Sequence, residues 1–350
     1  MFIKNKLYEE DVALIASYDI IDWKQLRGKA LLITGAGGLI GTFLVDVLMY
    51  RNRIYDDGIY IYALGRNKEK ANIRFKSYMD SPEFNFIQQD VNVPMELNVD
   101  IDYILHGASN THPIAYASEP INTILLSIVG TKNIFDFASL HSVKRTIFLS
   151  TVEIYGENRG DVETFQEDYC GYIDCNTLRA GYSEGKRAAE ALCQAYIQEK
   201  NMDIVIARCC RVYGPTMGDD DSKVIAQFLR NARDNKDIIL KSKGAQQYSY
   251  AYVADVCSAL LVLLLKGRNG EAYNIADENG NITLLQIAGI LADYLGKEIV
   301  FDIPSSLEIS GYSKATKALL DNSKLRNLGW KTKNSIKDGL IKSINILKQK

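Results

Sequence analysis

The first half of the chain carries short, largely apolar runs: Ala30 to Ile33, Ile59 to Leu64, Phe84 to Gln88, Tyr103 to Leu105 and Thr146 to Leu149. Runs of this kind, without a strict in-out alternation, suit strands covered on both faces. Between them the spacing changes to that of helices. Leu44, Val45, Val47 and Leu48 start one helix, a second begins at about Lys68, and a third runs through Val129 to Ser139. Strand and helix in this alternation predict an α/β fold with a doubly wound parallel sheet. Ligands of such sheets bind outside the carboxyl edge of the strands, so the residues there are the functional candidates.

The first run breaks at once into a turn with the spacing Gly35-x-x-Gly38-x-x-Gly41. Gly35 and Gly38 let the backbone bend close to a pyrophosphate, and Gly41 lets helix and strand pack tightly. The exposed N–H groups that open the helix, at Leu39 and Ile40, complete an anion site. The expected ligand is a dinucleotide. The second run ends Ala63-Leu64-Gly65-Arg66-Asn67, with no acidic residue for a ribose 2′-hydroxyl. Arg66, helped by Lys68 or Lys70, suits a 2′-phosphate instead, which favours NADP over NAD. Asp90 and Val91 follow the third run, placed for the adenine, and Gly107, Ala108 and Ser109 follow the fourth, beside the cofactor.

Composition narrows the class. The 350 residues are 47% hydrophobic and 24% charged, with a formal net charge of -2. That balance argues against disorder, a nucleic-acid footprint and a polybasic membrane patch. The six cysteines form no CxxC pair and fit no zinc spacing, so they read as reduced thiols, and the cytoplasm is the expected location. Residues 1–27 read as an amphipathic arm packed on the domain or on a partner subunit. His112, His141 and the acidic run Glu157, Asp161, Glu163, Glu167 and Asp168 have no ligand spacing, so no metal is expected and the run reads as a solvated loop over the substrate.

The fifth run continues Leu149-Ser150-Thr151-Val152-Glu153-Ile154-Tyr155-Gly156, and Tyr182-Ser183-Glu184-Gly185-Lys186 opens a later helix. Tyr182 and Lys186, four apart, share a helix face. Bringing a phenol from a pKa near 10 to about 7 takes roughly 4 kcal/mol. A neighbouring ammonium and the positive charge of a nicotinamide help in that direction. The Thr151 hydroxyl can then hold a reacting oxygen while Tyr182 takes its proton.

Glycine turn, Thr151, Tyr182 and Lys186, in that order, resemble the extended short-chain dehydrogenase/reductases, the epimerase/dehydratase family that modifies nucleotide sugars. The resemblance runs from Lys29 to Trp330 and implies a Rossmann-type sheet with a smaller mixed α/β substrate-binding domain on the C-terminal side. The implied division is an arm at 1–27, a cofactor domain at 28–210 to which 250–268 returns, and a substrate domain at 211–249 and 269–350. It further implies oxidation of the sugar at C4 by bound NAD or NADP, with Tyr182 as base, Lys186 lowering its pKa and binding the nicotinamide ribose, and Thr151 and Glu153 completing the catalytic set. A nucleotide-sugar substrate, a homodimer formed through the helices at 129–140 and 182–196, and a place in surface-polysaccharide supply are implied as well.

The wording around Tyr182 is most similar to UDP-glucuronate decarboxylases, in which the 4-keto sugar acid loses carbon dioxide before being reduced again. Val152 stands where the 4,6-dehydratases carry an aspartate, which disfavours dehydration. A 4-epimerase, an NADPH-dependent ketoreductase and a cofactor-binding regulatory protein are the alternatives. The chain departs from the family at three places. Tyr248 replaces an arginine that holds a phosphate or sugar acid, Gly311 and Tyr312 stand where a second arginine is expected, and Arg211 replaces an asparagine before Tyr213-Gly214-Pro215. Arg211, helped by Lys241, Lys243 or Lys314, is therefore expected to supply the missing cation, and Tyr248 is a second substrate-binding candidate.

Overall fold

The computed structural model describes residues 5–111, 116, 118–302 and 316–349. Seven parallel strands form the main sheet: β1 (Ala30–Thr34), β2 (Tyr60–Gly65), β3 (Phe84–Gln88), β4 (Tyr103–His106), β5 (Arg145–Thr151), β6 (Ile204–Cys209) and β10 (Ala272–Ile275). Their order is β3-β2-β1-β4-β5-β6-β10. Every residue of β1 is buried, as its apolar run requires of a central strand. The chain reverses direction across the sheet between β1 and β4, which opens the crevice at their carboxyl ends.

Helices cover both faces. On one lie α2 (Leu39–Tyr55) and the almost wholly buried α7 (Val253–Lys266), packed on each other. On the other lie α4 (Pro120–Leu140) and α5 (Ala180–Lys200), also in mutual contact. Residues Leu126–Gly130 of α4 form a π-helical turn. The α3 helix (Lys68–Arg74) follows β2.

The second unit is a small sheet in which β9 (Gln247–Tyr252) pairs with β7 (Arg211–Tyr213), β11 (Asn281–Thr283) and β13 (Lys317–Ala318). A separate pair joins β8 (Ile238–Leu240) to β12 (Ile299–Phe301). Around them pack α6 (Val224–Arg233), α8 (Leu284–Leu295) and α10 (Ile336–Lys348), while the short α9 (Ser323–Arg326) sits against β10.

Two boundaries differ from those expected. Tyr250 to Tyr252 belong to the small sheet and the return to the large unit starts at Val253; Ala272 to Ile275, expected in the substrate domain, are the edge strand of the main sheet, pairing with Ile206 to Cys209. A four-residue strand next to a tight turn carries too little pattern to announce which sheet it will join.

The arm is built into the body. Its helix α1 (Lys6–Ala16) is capped by Asn5, buries Tyr8, Val12 and Ile15, and packs on α2 and α7. Asp11 accepts from Tyr252 and from Lys342, both at 2.6 Å, so one buried carboxylate ties the arm to β9 and α10.

Candidate active site

The glycine turn takes the shape its spacing predicts. Gly35 has φ +70°, a left-handed conformation, and a Cβ there would lie 2.9 Å from the Gly107 carbonyl oxygen. A Cβ on Gly41 would come within 2.6 Å of the Gly35 oxygen. Gly38 caps α2, which begins at Leu39. The Leu39 carbonyl accepts from Thr216 at 2.8 Å, fixing the first turn of this helix to the second unit. Close approach of backbone to backbone at Gly35 and Gly107 leaves a bare main-chain surface, the cradle a pyrophosphate needs.

The neighbouring strand end is organised by Thr34. Its hydroxyl accepts from the N–H groups of Gly107 and Ala108, both at 3.1 Å. With its lone pairs so used, it donates to His106 Nδ1 at 2.8 Å, and Nε2 then carries the proton toward Thr131 at 3.2 Å. Burial, with Lys186 adding to it, lowers the pKa of His106 to about 3, in keeping with that neutral tautomer. Ser109 Oγ is buried with no partner among the described residues, a free polar atom on the cradle wall. Val91 is buried and its carbonyl accepts from Asn133 at 2.8 Å. Arg66 is largely exposed, 3.9 Å from Asp90 at the mouth of the crevice. These features fit a dinucleotide.

The expected catalytic residues come together at the ends of β5 and the start of α5. Thr151 ends β5, its Oγ1 accepting from the Glu153 N–H. Tyr182 is buried; burial raises its pKa, and a hydrogen bond with Thr151 opposes the rise. Lys186, one turn on, donates to the Leu149 carbonyl at 2.8 Å. Desolvation lowers its pKa to about 8. The depressed tyrosine pKa expected from the sequence is therefore not a property of the protein by itself. Desolvation outweighs the polar neighbours.

Beside this set lies a charged cluster that the sequence announced only in part. The Glu153 carboxylate sits between Arg179 and Arg211, 3.6 Å from each. The Arg211 guanidinium lies over the Tyr248 ring, its central carbon 3.8 Å from the ring centroid. Burial works to lower the pKa of Arg211, but Glu153 and the surrounding tyrosines hold it above the ordinary value. The charged partners of Arg211 are thus Glu153 and, through it, Arg179, whereas Lys241 and Lys243 are exposed. Tyr116 stacks on Tyr182 with ring centroids 4.7 Å apart and planes 19° from parallel. Neither Tyr116 nor Arg179 was expected at the site. Arg179 precedes the helix that was read from Tyr182 onward, and no periodicity marks Tyr116. The acidic run is less solvated than expected, since Glu167 accepts from the Asn274 N–H at 2.9 Å. His112, Gly311, Tyr312 and Lys314 lie outside the described residues.

The chain has relatives among known proteins. The chain is 30% identical over 314 residues to UDP-glucuronic acid decarboxylase 6 of Arabidopsis thaliana, covering 89% of this chain and 86% of that one. It is 28% identical over 327 residues to UDP-glucuronic acid decarboxylase 1 of Xenopus tropicalis, covering 92% and 72%. Among solved structures, a UDP-glucuronic acid 4-epimerase from Bacillus cereus, in complex with UDP-glucuronic acid and NAD, superimposes with a TM-score of 0.76 at 22% identity, over 91% of this chain and 99% of that one. A dTDP-glucose 4,6-dehydratase from Streptomyces venezuelae gives a TM-score of 0.77 at 24% identity, over 91% and 97%. These two likenesses establish the shared fold. Residues 31–276, from β1 through β10, match the sequence profile of the NAD dependent epimerase/dehydratase family. With the glycine cradle, Thr151, Tyr182 and Lys186 in place around one crevice, the chain belongs to the NAD dependent epimerase/dehydratase family.

Proposed function

We propose that this enzyme modifies a nucleotide sugar through transient oxidation at C4, as a UDP-glucuronate decarboxylase-like activity. The observation that carries the reading is Tyr182, buried against Thr151 at the sheet edge beside the glycine cradle. A bound nicotinamide dinucleotide supplies the hydride acceptor and a positive charge near the phenol. Thr151 and Tyr182 hold the C4 hydroxyl, and Tyr182 takes its proton as the C4 hydrogen leaves. Lys186, anchored on Leu149, sets the local field for that proton. In a 4-keto sugar acid the C5–carboxylate bond is activated. As carbon dioxide leaves, the electron pair moves toward O4, where the Tyr182 and Thr151 hydroxyls donate to the developing charge. With C5 protonated from water, C4 reduced again and the Tyr182 proton returned to O4, the cycle would close with no net redox change.

Proton NMR of the protein with UDP-glucuronate and catalytic NAD+ or NADP+ tests this. A UDP-pentose is expected, and its absence sinks the decarboxylase reading. Appearance of UDP-galacturonate would instead establish 4-epimerisation, which the same three residues support. We further propose NADP in preference to NAD, supported by Arg66 and by the absence of a carboxylate at the end of β2. A tighter Kd for NAD+ than for NADP+ would reject it.

A cytoplasmic homodimer is also proposed. The α4 helix is long and apolar enough to cross a membrane, but 56% of its most apolar window is buried in the protein. Its exposed Ile121, Ile124 and Leu125 form an apolar face suited to a second copy. Sedimentation as a monomer at micromolar concentration would count against the dimer.

A further inference from the structure

We propose that Arg211, with Arg179 across Glu153 from it, forms a pocket for a carboxylate on the sugar ring of the substrate, at the reacting end and not the diphosphate end. The inference rests on the nucleotide-sugar reading above and adds the residues that would read the carboxylate of its sugar.

The main chain sets the geometry. Arg211 is the register partner of Tyr250 in the parallel β7–β9 pair, so the two side chains share one face of the small sheet. Tyr248, two residues earlier on β9, is on that face too, and its ring is the platform on which the guanidinium lies, 3.8 Å away. Two of the three positions at which the chain departs from its family are thus in contact. An arginine absent from one strand is supplied from the next, and the tyrosine in its old place supports it.

The pocket is polar and incompletely paired. Among the described residues, Arg211 Nε and the Tyr250 hydroxyl are buried without a hydrogen-bond partner. Tyr250 is only 1% exposed. Glu153 lies 3.6 Å from the Arg211 guanidinium, but two cations share that single carboxylate, leaving one positive charge in excess. A second carboxylate matches what remains. It is planar, accepts from the fixed fork of a guanidinium, and has an oxygen left for a phenol O–H.

Position separates a sugar acid from a diphosphate. Glu153, 3.6 Å from Arg211, donates its N–H to Thr151 Oγ1 at 3.3 Å, and Thr151 stands beside Tyr182, on whose ring Tyr116 is stacked. The cluster therefore borders the phenol that takes the C4 proton. A carboxyl on C5 is next to C4, whereas the diphosphate hangs from C1 across the ring.

Isothermal titration of the full chain, with the reduced cofactor NADPH present so that no turnover begins, against UDP, UDP-glucose and UDP-glucuronate tests the assignment, together with Arg211→Gln, Arg211→Lys and Tyr250→Phe. The unaltered protein is expected to bind UDP-glucuronate at least about tenfold tighter than UDP-glucose. Arg211→Gln should weaken UDP-glucuronate on the order of 30-fold and leave UDP and UDP-glucose nearly unchanged. Arg211→Lys should recover part of the loss, and Tyr250→Phe should cost a few-fold for the uronate alone. Equal losses on all three ligands would make Arg211 a diphosphate ligand or a prop and overturn the inference, as would an unaltered uronate affinity. Binding of UDP without uronate preference would sink the inference and spare the nucleotide-sugar reading. Failure of all three ligands to bind would remove that reading in its uridine form and this inference with it.

Discussion

Lys186 donates to the Leu149 carbonyl at 2.8 Å, with the Phe148 ring 4.7 Å from its ammonium. This contact joins α5 to β5 two residues before Thr151, so the base-bearing helix and the hydroxyl-bearing strand hold one registration. Tyr182, one helical turn before Lys186, is carried to Thr151 by the same contact.

Tyr182→Phe removes the proton-accepting oxygen and keeps the ring stacked against Tyr116. Turnover of UDP-glucuronate, followed by proton NMR, should fall by about 10² to 10⁴. Cofactor affinity, read by fluorescence quenching, should change little. A variant that keeps near-normal turnover would remove Tyr182 from the chemistry.

The depressed pKa of Lys186 has a consequence for stability. The folded state releases its proton at about 8 and the unfolded chain at 10.5, so between these values the unfolded state holds more protons. Stability therefore rises with pH across that window, and the full cost of the buried ammonium, up to about 3 kcal/mol, is present below pH 8. In urea denaturation, the stability of Lys186→Met relative to the unaltered protein should be greatest near pH 7 and shrink toward pH 10. A gap independent of pH would contradict the assignment.

At Gly35, a Cβ meets both a positive φ and the Gly107 carbonyl, whereas nothing lies within 4 Å of one built on Gly37. Gly35→Ala is expected to cost about 1 to 3 kcal/mol and to weaken dinucleotide binding, because the strain must push β1 and β4 apart where their backbones meet. Gly37→Ala should leave the melting temperature within a degree or two. Equal effects of the two would mean that the close approach does not matter.

His106 should stay neutral, with its proton on Nε2, well below the pH at which an ordinary imidazole titrates. Because its folded pKa is lowered to about 3 from 6.5, the unfolded chain takes up the proton first, and stability is lost as pH falls below 6.5. Nitrogen-15 NMR of the ring at pH 5 is the check. A protonated imidazole in the folded protein at that pH would refute the Thr34–His106–Thr131 arrangement.

Much of the cofactor half was legible because its physics is local. A glycine that must take φ +70° and another that must admit a helix against a strand appear as glycines whatever surrounds them. A tyrosine and a lysine four apart share a helix face by geometry alone. Tyr116, Arg179 and the pairing of Arg211 with Glu153 were not legible in this way. Each depends on chain segments far apart in sequence arriving at one place.

The sequence by itself therefore determined the alternation of strand and helix and the glycine cradle, since short-range periodicity and backbone sterics decide both, whereas the Thr151, Tyr182 and Lys186 set was read from a family resemblance. Only the tertiary structure decided that Ala272–Ile275 closes the main sheet, that Arg211 lies on Tyr248, and that burial raises the pKa of Tyr182 instead of lowering it. Strand partners, ion pairs and desolvation are set by which distant segments exclude water together, and that is a property of the packed chain.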